Sequence, residues 1–238
     1  MKTSEFEGFR NYVELLCSAA GDAGREQEAA QDKGSNLKFF AVRVPRLRQM
    51  IELEFRFDKY SPIEWIERWD RVFHHSLYYE PISLGLLFYQ VPDRTRVCGF
   101  IDSSTTWASK IENWGHCDLL GSAMSAYGTH SWANLETYMM EWSRSESIWL
   151  RRLSLVSLVR YVGKSSTYLP FSTVASFIEP HLDTRDKYIS RPVGWVLREH
   201  LRADPNGEPR EYLKRHWSRL PYPAKAKLQL FTKLEAAE

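Results

Sequence analysis

An all-α fold is what this 238-residue sequence predicts, and three observations predict it. Apolar residues recur at three- and four-residue spacing along most of the chain. Helix-opening signals stand ahead of several of those segments. No stretch alternates apolar and polar residues as a half-buried strand does. The helical segments succeed one another at intervals that suggest stacked pairs, with no flexible linker between domains, so one solenoid-like domain over residues 1–238 is expected.

Taken in order, a first helix is expected near residues 4–20. "GDAGREQEAAQDKGS", residues 21–35, then reads as a polar connector, so residues 1–34 form an N-terminal helix and its connector. A helix near 37–54 comes next. Ser61-Pro62-Ile63-Glu64 is a capping box with proline at the first helical position. It opens "IEWIERWDRVFHHSLYYE", whose inward stripe is Ile63, Ile66 and Trp69 or Phe73. Further helices are expected near 80–91, 98–110, 114–127 and 132–142. Ser143-Arg144-Ser145-Glu146 offers the same box before "IWLRRLSLVSLVRYV", where Ile148, Leu155, Val156 and Val159 form a buried stripe. A helix near 168–181 precedes Asp183 and Asp186. These introduce "KYISRPVGWVLREHLR", a helix of about 17 residues that Asp204-Pro205-Asn206-Gly207 breaks. Pro192 lies within it and removes a helix hydrogen bond unless it falls in the first turn. Helices near 208–218 and 222–236 complete the chain.

Composition narrows the function. No run of about 18 uncharged apolar residues exists, and Glu5, Glu7, Arg10 and Glu14 interrupt what would be a signal's apolar region, so no membrane association and a cytoplasmic location are expected. Cys17, Cys98 and Cys117 are widely spaced and lack a CxxC pair, which argues against a disulfide framework or a cysteine zinc site. The net charge of +2 hides an asymmetry. Residues 141–238 hold 17 Lys and Arg against 11 Asp and Glu, while residues 1–140 hold 15 against 19. A basic C-terminal part suits a polyanion partner, and equally a solvated basic face.

Several chemistries lack their residues. There is no Gly-rich phosphate loop, HExxH, GxSxG or acidic cluster with metal-ligand spacing. His74 and His75 are adjacent and point about 100° apart on a helix, which makes them poor joint ligands. No cofactor and no metal are expected. What remains is aromatic and basic. "ENWGHCDLL" puts Trp114 and Asp118 at i and i+4, one helix face, although the pair alone also fits a core tryptophan beside a surface acid. "SESIWLRRLSL" puts Trp149 and Arg152 at i and i+3, with Arg151 turned elsewhere.

"NWGHCD", "ESIWLRRLSL" and "SRPVGWVLREHLR" resemble the signature segments of the AlkD-like DNA alkylation repair family, the HEAT-like-repeat alkylpurine DNA glycosylases. "FFAVRVPRLRQM" and the Tyr79-Glu80 that begins a helix are similar to that family's N-terminal half, and the likeness covers roughly residues 35 to 220. The resemblance implies an α-α superhelix of HEAT-like helical repeats with a concave basic DNA-binding groove. It implies the catalytic aspartate at Asp118, cleft tryptophans at Trp114 and Trp195, and the phosphate-contacting arginine at Arg152. Arg198, Arg191 and Arg160 fall where basic residues of the family face the DNA backbone. Gly115 and His116 between the tryptophan and the aspartate, Pro192, and a longer spacing from Arg152 to Trp195 depart from the family pattern.

The activity so implied is monofunctional hydrolysis of the N-glycosidic bond of cationic alkylated purines, N7-alkylguanine and N3-alkyladenine, bulky adducts included, in duplex DNA without base flipping. A purine cation is already a good leaving group, so the barrier is an oxocarbenium-like sugar, which a carboxylate and electron-rich rings stabilise. The partner is duplex DNA and the chain is expected to act as a monomer. Alternatives are a non-catalytic HEAT-like module that binds DNA or protein, against which Asp118 and Arg152 argue, and a resistance glycosylase dedicated to a bulky natural-product adduct.

Overall fold

A computed structural model describes residues 2–159 and 169–235, with side chains over 4–159 and 169–228. The described residues are α-helical, with one isolated bridge, Lys38 to Tyr78, and no strand. They form two compact units, residues 1–130 and 131–238.

The first unit holds α1 (Lys2–Ala20), α2 (Glu26–Lys33), α3 (Val44–Glu54), α4 (Pro62–His75), α5 (Tyr79–Phe88), α6 (Pro92–Thr95) and α7 (Phe100–Ala108). It also holds the first part of α8 (Trp114–Ser143), which leaves helical geometry at Ser131 (φ −144°, ψ 47°). Two helices near 114–127 and 132–142 were the expectation, and Ser131 divides them. Helix α5 is the axis of this unit: all ten of its residues are buried, and α1, α3 and α4 pack on it. A helix buried on every side lies in the core, and its polar Glu80 and Ser83 find hydrogen-bond partners there. Gly85 keeps the α5 surface low where Trp69 crosses it, since a Cβ there would stand 2.9 Å from the indole. Phe9, Phe55, Trp65, Trp69 and Phe88 then close an aromatic cluster, with ring centroids 4.7 Å apart for Trp65 and Phe88 and 5.2 Å for Phe9 and Trp69.

The Ser61 capping box is formed. Its hydroxyl accepts from the Glu64 amide, and the Glu64 carboxylate accepts from the Ser61 amide at 2.9 Å. Ile66 and Trp69 of the expected α4 stripe are buried, together with Trp65 and Val72, whereas Ile63 is 51 % exposed. With proline at its first position the helix begins at Pro62, so Ile63 lies in the first turn, outside the packed length.

Two expected boundaries change. The connector 21–35 contains a helix, α2, mostly polar and without a buried residue. The helix expected over 37–54 begins only at Val44. Pro45 lacks the amide that would bond the Ala41 carbonyl. Ala41 itself takes the left-handed conformation (φ 60°), and the amides of Phe40 and Val42 donate to the Glu80 carboxylate at 3.0 and 3.3 Å. Residues 37–43 therefore fold around an acid on α5 instead of continuing a helix.

The second unit contains residues 132–143 of α8, then α9 (Ile148–Val156), α10 (Phe171–Ile178), α11 (Lys187–Ala203), α12 (Glu208–His216) and α13 (Tyr222–Glu235). Helix α11 is central, packed by α13, α9 and α12. The box expected at Ser143 to Glu146 does not form: α9 starts later, at Ile148, and the Ser143 hydroxyl turns back to donate to the Met140 carbonyl at 2.9 Å. Asp186 caps α11 by accepting from the Tyr188 amide at 2.7 Å, whereas Asp183 bonds Arg219. Gly194 sits where α11 meets α13: a Cβ there would overlap the Ala224 carbonyl oxygen and stand 2.8 Å from its Cα. Among the described residues no helix is long and apolar enough to cross a membrane.

Candidate active site

The first turn of α8 is built to present Trp114 and Asp118. Asn113 precedes it as an N-cap, its side-chain oxygen accepting from the His116 amide at 2.8 Å. The Asn113 amide nitrogen, which can only donate, lies 3.1 Å from His116 Nδ1. The other ring nitrogen, Nε2, stands 3.0 Å from the Tyr79 carbonyl, which can only accept. These two contacts assign the neutral tautomer with the proton on Nε2. His116 is buried, and burial pushes its pKa down to about 4. Its ring stacks on Tyr79 with centroids 4.1 Å apart, and Tyr79 stacks on Phe39 at 4.6 Å. Gly115 permits this arrangement, because a Cβ at that position would overlap the Tyr79 hydroxyl. Burial also raises the Tyr79 pKa, and the Asp118 charge adds to the effect.

Trp114 and Asp118, four residues apart, both line one cavity of about 480 Å³ within the first unit, each partly exposed. Its walls are α2, the 39–44 segment, α5 and α8, and it combines Phe39, Tyr79 and Trp114 with the carboxylates of Glu28, Asp32, Glu80 and Asp118. Arg25, Lys33 and Arg43 supply the opposing charge. Helix α2 docks directly on the indole. Trp114 Nε1 donates to the Asp32 carbonyl at 2.9 Å, and Lys33 Nζ lies 3.9 Å from the ring centroid and 2.7 Å from the Asp32 carboxylate. A lysine ammonium over an indole face is a cation–π contact, so this surface already holds a positive charge. Glu80 is buried, and burial raises its pKa against the opposing effect of the backbone amides at residues 40 to 42.

The remaining expected site residues belong to the second unit, with one exception. Arg152, on α9, is 6 % exposed and donates through Nη1 to the Tyr188 carbonyl at 2.8 Å. Trp195 is partly exposed on α11. Arg191 is exposed one turn before it, and Arg198 follows, its guanidinium bonded to Glu199 at 2.7 and 2.9 Å. Tyr188, Arg191, Trp195 and Arg198 recur at three and four residues and so share one helix face. Arg160 lies outside the described residues. Among the described residues no group of three or more His, Cys, Asp and Glu could hold a metal ion.

Sequence reasoning missed Tyr79, Glu80, Asp32 and Lys33 as parts of this cavity. An asparagine ahead of α8 is an N-cap signal that marks where the helix begins, and it does not point to these four residues. Nothing local marks Glu80, whose partners are 38 and 40 residues away.

A search of the curated proteins gives no match. The family model described as DNA alkylation repair enzyme matches residues 16–226, which takes in the cavity, α9 and all of α11. The chain therefore belongs to the DNA alkylation repair enzyme family and has a role in DNA repair.

Proposed function

We propose that the protein is a monofunctional DNA glycosylase that hydrolyses the N-glycosidic bond of cationic alkylated purines in duplex DNA. The observation that carries this reading is the pairing of Trp114 with Asp118 on one wall of an aromatic, carboxylate-bearing cavity. A π face and a carboxylate side by side favour positive charge, which is what the lesion carries and what the sugar acquires as the bond breaks. The C1′–N bond cleaves with both electrons going to the base, which departs neutral. Asp118 stabilises the sugar cation and orients a water, whose oxygen bonds C1′ and whose proton passes to the carboxylate or solvent. A neutral, undamaged purine gains little at such a site and leaves far more slowly.

Trp195 is the second indole assigned to the substrate, and Arg191, Arg198 and Arg152 are the phosphate-side cations, all by their places in the family motif. Phosphate contacts position the duplex without reading sequence and make binding weaken with salt. The lesion stays stacked, which relaxes the limit on adduct size. The chain works as a monomer without metal or cofactor, and no strand cleavage accompanies excision.

The test is release of N7-methylguanine and N3-methyladenine from methylated duplex DNA, resolved by base, for the wild type and Asp118→Asn. Loss of release in the variant with DNA affinity unchanged supports the assignment. Equal turnover removes Asp118 from the mechanism. No release of either base by the wild type redirects the reading to bulky N3- and N7-adducts or to a binding module.

A further inference from the structure

Helix α11 carries a gap in its hydrogen-bond ladder. Pro192 is the sixth residue of the helix, well inside it, and has no amide hydrogen, so the Tyr188 carbonyl lacks its i+4 donor. A buried carbonyl left without a partner costs about 1 to 3 kcal/mol. Arg152, on the adjacent helix α9, fills the gap with Nη1 at 2.8 Å. Two further groups hold the same residue: the Asp186 carboxylate accepts from the Tyr188 amide at 2.7 Å, and the Trp149 ring lies 5.0 Å from the Tyr188 ring. Trp149 and Arg152 are one turn apart on α9, so a single face of that helix grips Tyr188 by ring and carbonyl. Trp195 lies seven residues beyond Tyr188, two turns along the same face of α11.

We infer that Arg152 is a positioning residue, which supplies from α9 the donor that Pro192 removes from α11 and so fixes the helical turns that present Trp195. This role rests on the glycosylase reading for its catalytic consequence and is separate from phosphate contact. A guanidinium has five donors, and one directed into the protein at a proline gap aligns the two helices. Lysine and methionine at 152 differ in the needed respect, since a lysine ammonium still offers donors and methionine offers none.

The test is a double-substitution cycle in the full-length chain: wild type, Arg152→Met, Pro192→Ala and the pair together, with Arg152→Lys as a fifth protein. In the Pro192→Ala background residue 192 regains an amide aimed at the Tyr188 carbonyl. Single-turnover release of N7-methylguanine at saturating protein should slow roughly tenfold for Arg152→Met, the loss of one hydrogen bond from a buried guanidinium, and by less than about threefold when Pro192→Ala is also present. Arg152→Lys should retain most of the rate. Equal slowing in both backgrounds overturns the inference and leaves a phosphate contact alone. If Arg152→Met does not fold, folding of the double variant supports the link and its failure to fold overturns it. If the wild type releases no N7-methylguanine, the simple-adduct reading fails by itself. The same five proteins then read the link by thermal unfolding, where additive shifts in Tm overturn it and a rescue by Pro192→Ala upholds it.

Discussion

His116 makes the stability of the Trp114 and Asp118 turn dependent on pH, and the size of the effect follows from its surroundings. Its ring is buried, stacked on Tyr79 and bonded at both nitrogens as the neutral tautomer, so burial holds its pKa near about 4 against the ordinary 6.5. The unfolded chain binds this proton more tightly than the folded one. Its contribution is therefore fully present above about pH 6.5 and is lost as pH falls from there toward about 4. At 1.36 kcal/mol per pKa unit the complete loss is about 3 kcal/mol, of which about 2 kcal/mol falls between pH 7 and pH 5. The assay is urea unfolding of the wild type and His116→Gln at pH 7, 6 and 5. His200 is also depressed by burial to about 4 and contributes a parallel slope to both proteins. The variant should be less stable than the wild type at pH 7, with a difference that shrinks by about 2 kcal/mol on going to pH 5. A difference independent of pH refutes the reasoning, because it means that His116 titrates alike in the folded and unfolded chain.

Three other outcomes follow from single contacts. Gly194→Ala should destabilise the second unit by about 1 to 3 kcal/mol or more, since the new methyl meets the Ala224 backbone of α13 rather than a flexible side chain, and calorimetry reads it. Glu80→Ala leaves the Phe40 and Val42 amides without their acceptor and should cost about 2 to 4 kcal/mol in chemical denaturation, with new protease sensitivity near Ala41; a neutral effect would show that the segment holds its own shape. Ser61→Ala should cost about 1 kcal/mol by removing the α4 cap, and a change below a few tenths would show that the box adds little here.

Local patterns determined much of this protein from its sequence. The helical class, the capping box at Ser61, the cap at Asp186 and the shared face of Trp114 and Asp118 all depend on residues within four positions of one another, where helix geometry alone sets the distances. Pro192 was equally legible as a missing hydrogen bond. What filled it was not, because Arg152 is 36 residues from Tyr188 and only the packing of α9 on α11 brings them together. The same holds for Glu80 and the 37–43 segment: a helix was the better local choice for those residues, and a buried carboxylate that takes their amides outweighs local propensity. Likewise α2, which as a sequence is only a polar stretch, becomes a cavity wall through one indole hydrogen bond to Asp32 and one ammonium over a ring. Spacing along a helix can be read from the chain, but which distant group meets an unpaired donor, acceptor or ring is decided when burial forces each of them to find a partner.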